Sequence, residues 1–221
     1  MSRLLKEERL GRKALLTRNL VPGKRVYNED LLQRGGAEYR TWDPFRSKLA
    51  AAMIKGLPDS AVGEGAKVLY LGASTGTTVS HVSDLVGPGG LVVGVEFSPR
   101  VAREFIEKVA RERGNVIPFV ADARDPSKYS VAKFDVVYCD IAQPDQTEIA
   151  LANCAALLKP GGTLLLVVKA RSIDVLKDPE RVFIEEEKKL RAGGFDVKSV
   201  TELSPFEKDH ALIHAVMDPE G

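Results

Sequence analysis

Only two cysteines occur in the 221 residues. Cys139 lies in an apolar run and Cys154 in a helix-like run, at no metal or redox spacing. Both therefore read as buried thiols of a reducing compartment, and a disulfide framework is excluded. No apolar stretch is long enough to cross a bilayer, and no charged-then-apolar leader opens the chain. The expectation is a cytoplasmic protein with no membrane partner. Aromatic residues make up 6% and the formal net charge is +1, which excludes a protein basic over its whole surface. The charge is unevenly spread, however. Residues 1–25 carry eight Lys/Arg against Glu7 and Glu8, a net of +6, which leaves −5 for the remainder. A basic arm on a mildly acidic body fits a phosphate-bearing partner, and equally a solvated terminal segment. Internal repeats and low-complexity tracts are absent too.

Short apolar runs alternate with helical patterns from Lys67 onward. The runs are KVLYLG, LVVGVEF, NVIPFV, FDVVYCD and TLLLVVKA. Runs without polar alternation are strands buried on both faces, hence a mostly parallel sheet. Val79, Val82 and Val86 share one helical face before Gly87-Pro88 stops the helix. Ser98-Pro99 opens another, expected to run through Arg113, and Lys159-Pro160-Gly161-Gly162 ends a third. Two last stretches, FDVKSVTEL and HALIHAVM, have no helix between them and should pair antiparallel. The predicted fold is α/β and Rossmann-like: a seven-stranded, mostly parallel sheet with an antiparallel last strand. Residues 1–45 differ. DLLQRGGAEYRTW reads as a hairpin turning at Gly35-Gly36, so 1–45 is expected to be a small β-rich module. Residues 46–221 form the main domain, entered through a helix near 46–56.

The loop after the first buried strand, LGASTGTT, sits where nucleotide-like ligands bind. The dinucleotide fingerprint G-x-G-x-x-G needs close backbone approach to a pyrophosphate. Here Ser74 replaces the second glycine and Thr77 the third, so a pyrophosphate is poorly cradled. Small residues and a helix N-terminus still suit a carboxylate. Glu96, ending the second strand, can accept from both ribose hydroxyls, and Asp122, after the third, from an adenine amino group. Adenosine plus an amino-acid carboxylate describes S-adenosylmethionine, and the domain reads as a S-adenosylmethionine-dependent methyltransferase. The expected contact set is Gly72, Ala73, Ser74, Gly76, Thr77 and Thr78 of the loop; Glu96 and Phe97; Asp122 and Ala123; and Asp140 and Gln143.

The fourth strand decides the methyl acceptor. YCDIAQPDQ has neither the Asn/Asp-Pro-Pro-aromatic turn of amino-directed enzymes nor a cysteine after proline, as in cytosine C5 enzymes. Asp140 ends this strand and Lys169 the fifth, so parallel neighbours bring the two to one crevice. An ordinary salt bridge is the alternative. A small-molecule O-methyltransferase with a divalent metal is disfavoured, since no carboxylate cluster accompanies Asp140; no metal site is predicted.

Several longer segments resemble the fibrillarin family: NLVPGKRVYNEDL, EYRTWDPFRSKLAAAM, VLYLGASTGTTVSHVSDLVG, GVEFSPRV, DIAQPDQ, VVKARSIDV and PFEKDHA. The likeness runs from about residue 19 to 217. The Gly/Arg-rich tail of the eukaryotic form is missing, so the archaeal form is the match, and residues 1–18 read as opening strands that are shortened. The resemblance implies ribose 2′-O-methylation of rRNA, and of tRNA, directed by a box C/D guide RNA. It implies a Nop-type scaffold protein and a kink-turn-binding ribosomal-type protein as partners, and a Lys48-Asp140-Lys169-His210 catalytic set. The stand-alone heat-shock-type 2′-O-methyltransferase shares the Lys-Asp-Lys logic without the DIAQP and ARSID segments. A non-catalytic subunit that binds S-adenosylmethionine in an RNA particle is the reading from another class.

A ribose hydroxyl is a poor nucleophile, so such an enzyme must align the oxygen and accept its proton. Lys169 is the candidate, as base or as positioning group. Lys48 nearby would favour its uncharged form and Asp140 would oppose it. For RNA contact the candidates are Arg40, Arg46 and Arg171, with Trp42 and Tyr39 better placed in a core or hairpin. The EEEKK stretch at 185–189 reads as a solvated helix face.

Overall fold

The computed structural model describes residues 2–9 and 11–219. Two sheets make the frame. The first is four-stranded and antiparallel, in the order β1-β2-β4-β3, from β1 (Leu4–Arg9), β2 (Arg12–Arg18), β3 (Leu31–Arg34) and β4 (Ala37–Trp42). The β3–β4 hairpin turns at Gly35 and Gly36, both at positive φ (55° and 79°), the backbone a tight two-residue hairpin turn needs. β1 and β2 pair over six register positions, Leu4 to Arg9 against Thr17 to Arg12. Both opening strands are thus formed, the first of six residues and the second of seven. They are also no free basic arm: Lys6 pairs with Asp59, Arg9 with Asp30 and Arg3 with Glu64.

A short helix, α1 (Lys48–Ile54), leads from this module into the main sheet, its N-terminus capped by the Ser47 hydroxyl. Then follow β5 (Lys67–Leu71), α2 (Thr77–Val86), β6 (Leu91–Glu96), α3 (Pro99–Lys108), β7 (Val116–Val120), β8 (Phe134–Cys139), α4 (Gln146–Leu157), β9 (Leu158–Lys169), α5 (Ala170–Ile173), α6 (Pro179–Ala192), β10 (Phe195–Glu202) and β11 (His210–Met217). The seven strands β5–β11 lie in the order β10-β11-β9-β8-β5-β6-β7, with β11 antiparallel to both its neighbours. All seven apolar runs of the sequence are strands of this sheet. Their side chains alternate between two cores. Val68, Tyr70, Val92, Val136 and Val167 face α1, α2, α3 and the N-terminal sheet; Leu69, Val93, Val137, Leu166 and Val168 face α4 and α6. Leu15 and Trp42 of the N-terminal sheet join the first core.

Lys159-Pro160-Gly161-Gly162 follows the end of α4 at Leu157 and opens β9, as expected, with Gly161 at φ 70°. Two local expectations change. α3 stops at Lys108 rather than Arg113, and Ala110–Glu112 form a 3₁₀ turn. In EEEKK, Glu186 is only 1% exposed and pairs with Lys189 at 3.0 Å, so this helix face is not wholly solvated.

A buried polar network locks the two sheets together. Arg40, which the sequence reading offered to RNA, is 0% exposed. Its guanidinium donates to Asp84 Oδ2 (2.9 Å), Glu29 Oε1 (2.5 Å) and Ser80 Oγ (2.9 Å). With no surface, it cannot meet a phosphate. Asp84 also accepts from Arg113 (2.6 Å), Thr17 Oγ1 (2.8 Å) and the Leu20 amide (2.9 Å). A buried carboxylate with this many donors is a satisfied one. Beside it His81, fully buried, stacks on Trp42 at 4.9 Å and joins Thr17 Oγ1 (2.7 Å) to Tyr27 Oη (2.6 Å). A carboxylate only accepts, so Thr17 donates to Asp84; His81 then donates from Nδ1 to Thr17 and accepts from Tyr27 at Nε2. Burial, with Arg40 and Arg113 adding to it, pushes His81 well below its ordinary value and keeps it neutral.

Candidate active site

Ligands of open α/β sheets bind outside the carboxyl ends of the strands, where the strand order reverses. Here the reversal falls between β5 and its neighbours β6 and β8, and a cavity of about 320 Å³ opens there. Its volume is at the lower end of small-molecule pockets, roughly 300–1,000 Å³. Five strand ends contribute: Gly72 after β5, Glu96 of β6, Asp122 after β7, Asp140 after β8 and Lys169 of β9.

Gly72 is required in two ways. Its φ is +83°, and a Cβ would lie 2.5 Å from the Asp140 carbonyl oxygen, so a side chain here would push into the neighbouring strand end. Ser74 holds a positive φ of 51° where the dinucleotide fingerprint has its second glycine, so the turn survives without that glycine. The loop amides are largely committed within the fold. Gly72 and Ala73 donate to the Val95 carbonyl, Gly76 to the Ala73 carbonyl and Ser74 to Glu96. These four amides are therefore not available to a pyrophosphate, in keeping with a ligand that lacks one.

Of the expected contact set, Gly72, Ser74, Glu96, Phe97, Asp122, Ala123, Asp140 and Gln143 line the cavity. Ala73, Gly76, Thr77 and Thr78 do not. Ala73 is buried. Gly76 caps α2, and a Cβ on it would meet Phe105 at 2.6 Å and Val109 at 2.7 Å. Thr78 donates to Ser47 Oγ at 3.0 Å, tying α2 to the start of α1. Thr77 is the first residue of α2. Ile141, Ala142, Ile149 and Arg124 line the cavity and were not anticipated. Arg124 is fixed by Asp145 at 2.7 Å. Nothing in a single sequence distinguishes Ile149 from any other helix residue facing the sheet.

The acidic ends have the expected character. Glu96 accepts from the Ser74 amide at 2.8 Å and the Ser98 amide at 2.9 Å, which hold its carboxylate at the cavity rim. Asp122 accepts from the Arg124 amide at 2.9 Å. Two carboxylates, exposed Phe97 and an apolar floor of Ile141 and Ile149 match an adenosine ligand with free ribose hydroxyls. The residues present therefore fit S-adenosylmethionine.

Next to this cavity three of the four expected catalytic residues are joined. Lys169 Nζ lies 2.8 Å from Asp140 Oδ1 and gives its aligned hydrogen bond, 3.1 Å, to the Asp140 carbonyl. Lys48 Nζ reaches Asp140 Oδ2 at 3.3 Å and Glu207 at 4.0 Å. Lys48 is the first residue of α1, where the helix dipole disfavours a cation; the Asp140 carboxylate offsets that. His210 is directly opposite Lys169 in the β11–β9 ladder, so both side chains leave the same face of the sheet. Its Nδ1 is engaged with the Lys208 carbonyl at 2.6 Å, and its side chain makes no hydrogen bond or ion pair with those of the other three.

Tyr70 and Tyr138 stack at 4.5 Å on the first core's side of β5 and β8, and burial pushes both phenols far up. The Cys139 thiol is pushed up to about 12 by burial, which leaves it protonated and no nucleophile. For RNA contact, Arg46 is exposed with its guanidinium 5.0 Å above the Tyr27 ring. Arg171 pairs with Asp209 at 3.1 Å and donates to the carbonyls of Val175 and Lys177, half-exposed beside the site. Trp42 and Tyr39 are buried, as their core reading requires.

The strand order with its single reversed strand, and a carboxylate-rimmed cavity that suits adenosine, define a S-adenosylmethionine-dependent methyltransferase fold. Comparison with known proteins narrows the class. The fibrillarin family model matches residues 4–219, so the chain belongs to the fibrillarin family, and the match includes the β1–β2 hairpin. A fibrillarin-like rRNA/tRNA 2′-O-methyltransferase of Sulfolobus acidocaldarius is 52% identical over 205 residues, 92% of this chain and 88% of that protein. The structure of Aeropyrum pernix fibrillarin with natively bound S-adenosyl-L-methionine superposes with a TM-score of 0.86 at 44% identity, covering 98% of this chain and 100% of that one. A fibrillarin in complex with Nop5p gives 0.80 at 41% identity, covering 91% and 93%.

Proposed function

We propose that this chain transfers the methyl group of S-adenosylmethionine to a ribose 2′-oxygen of rRNA or tRNA, directed by a box C/D guide RNA. The observation that carries the reading is the convergence of Lys48 and Lys169 on one carboxylate, Asp140, at the mouth of a cavity that fits the methyl donor. The donor supplies an activated methyl; everything else falls to side chains. Glu96 receives the ribose hydroxyls and Asp122 the adenine amino group. Asp140 fixes Lys169 Nζ at the strand end, and Lys169, as the neutral amine, orients the attacking hydroxyl and receives its proton to become the ammonium. Lys48 offsets the Asp140 charge, and His210 completes the rim opposite Lys169. Aligning nucleophile and methyl in one geometry is worth several orders of magnitude in rate by itself.

RNA selection lies outside the chain. Its net charge is +1, and Arg40, one of the three arginines first offered to RNA, is spent inside the protein. Arg46 and Arg171 contribute phosphate contacts near the reacting face. The guide RNA specifies the nucleotide, a Nop-type scaffold docks the enzyme and a kink-turn-binding protein completes the particle. The S. acidocaldarius relative's name supports the RNA substrate and the 2′-oxygen, and the fibrillarin complex with Nop5p supports the scaffold.

The test is methyl transfer from labelled S-adenosylmethionine, with the chain alone and in a particle with guide and scaffold. Methylation at the guide-specified nucleotide, in the full particle only, is the expected result. Robust methylation by the chain alone would favour the heat-shock-type reading. Unchanged transfer by a Lys169→Ala particle would leave a non-catalytic subunit.

A further inference from the structure

The register between β8 and β9 stops before the reacting residues do. β8 pairs with β9 as far as Cys139 opposite Leu166. On its other side β9 stays paired with β11 to its last residue, Lys169 opposite His210. Val167, Val168 and Lys169 therefore run past the end of the register with β8. Asp140 has left β8 at the same height, and its backbone amide donates to the Leu71 carbonyl of β5. Beyond that point the ends of β8 and β9 need another tie if Lys169 Nζ is to stand 2.8 Å from Asp140 Oδ1.

Gln146 supplies that tie. It is the first residue of α4, so it closes the loop that Asp140 opens, and it is fully buried. Its side-chain Nε2 donates to the Val167 carbonyl at 3.2 Å, an acceptor one residue beyond the last paired position of β9. A carbonyl only accepts, so the atom facing Val167 is the amide nitrogen. The Gln146 backbone amide donates to the carbonyl of Gln143, which lines the cavity. One residue thus joins the loop carrying Asp140 and Gln143 to the strand carrying Lys169. The other end of its amide is a burden on the fold. Oε1 is buried and has no hydrogen-bond partner among the described residues. Ala150, Cys154 and Leu157 continue the same face of α4 into the second core, so an apolar side chain would suit position 146 without burying an unpaired carbonyl. What the amide gains over an apolar group is the bond from Nε2 to Val167.

We propose that Gln146 is a positioning residue for the methyl transfer: its amide holds the end of β9 against the Asp140 loop and so sets Lys169 Nζ beside Asp140. The inference rests on the proposed RNA 2′-O-methylation and deepens it. Gln146 is buried and stands outside the cavity lining, so it acts through Val167, two residues before Lys169. The reacting hydroxyl must lie in line with the methyl while Lys169 receives its proton, and that geometry tolerates little movement of the strand end. A misplacement of about 1 Å, caused from a distance, can cost about 100-fold in rate.

The experiment replaces the donor and keeps length and burial, with Gln146→Met. In the reconstituted particle with full-length chain, kcat should fall by about 10- to 100-fold. KM for target RNA and the affinity for S-adenosylmethionine should change far less, and the melting temperature of the chain should equal or exceed that of the wild type. Hydrogen exchange of the free chain, read by mass spectrometry, should quicken at residues 167–170 and in the loop 140–145, not across the sheet. Wild-type kcat would overturn the positioning role, as would a loss carried mainly by KM or by cofactor affinity. A lowered melting temperature would make the amide a requirement of the core and overturn it too, and so would unchanged exchange at the end of β9. A wild-type particle that methylates no ribose would overturn the underlying reading instead, while the exchange rates still decide whether Gln146 holds the strand end.

Discussion

Arg40 offers the sharpest check on how the two sheets are joined. Replacing it with alanine removes the cation from Glu29, whose remaining carboxylate partners are the amides of Val26 and Tyr27. Asp84 keeps Arg113, Thr17 and the Leu20 amide, so one of the two carboxylates is left short of charge compensation. Removing one partner of a buried ion pair costs about 3–5 kcal/mol. In a domain of this size each kcal/mol moves the melting temperature by about 2–4 °C, so a fall of about 6–20 °C is expected. Thermal melting followed by circular dichroism reads it directly. Arg46→Ala serves as the counterpart: its side chain is exposed, so melting should hold while the salt dependence of RNA binding weakens. An Arg40→Ala protein that melts like the wild type but binds target RNA poorly would refute the buried-network account and return Arg40 to the RNA.

Two further outcomes follow from geometry. Gly72→Ala places a Cβ 2.5 Å from the Asp140 carbonyl at φ +83°, so S-adenosylmethionine binding measured by calorimetry should be lost or strongly weakened; wild-type affinity would mean that the strand ends are not held this tightly. His81 is neutral and buried when folded but takes a proton near pH 6.5 when unfolded. The unfolded chain therefore binds more protons below that pH. Stability is fully present above pH 6.5 and falls as the pH drops, by up to about 1.4 kcal/mol per unit. Urea midpoints at pH 7.5 and 5.5 should show a smaller drop for His81→Asn than for the wild type, and equal drops would refute the assignment.

The seven strands were legible because strands buried on both faces carry unbroken apolar runs, and Asp140 and Lys169 because they terminate two such runs. What the sequence concealed was pairing at a distance. Arg40 sits in EYRTW beside two aromatics and looks like a surface cation, yet Asp84 lies 44 residues away and Glu29 on another loop. His81 is joined in the same way, to Thr17 64 residues away and Tyr27 54 residues away. Arg113 was assigned to the end of α3, whereas its ion pair with Asp84 draws it onto the network as the helix gives way to a 3₁₀ turn. In EEEKK the charges imply water on every side, while the helix period turns Glu186 inward to a single lysine.

The most direct test of the central claim concerns one atom. In the reconstituted particle, a target RNA with a single 2′-deoxy sugar at the guide-specified nucleotide should accept no labelled methyl from S-adenosylmethionine, while the all-ribose target accepts one at that nucleotide. Label appearing on the deoxy target, on its base or at another position, would contradict ribose 2′-O-methylation by this site.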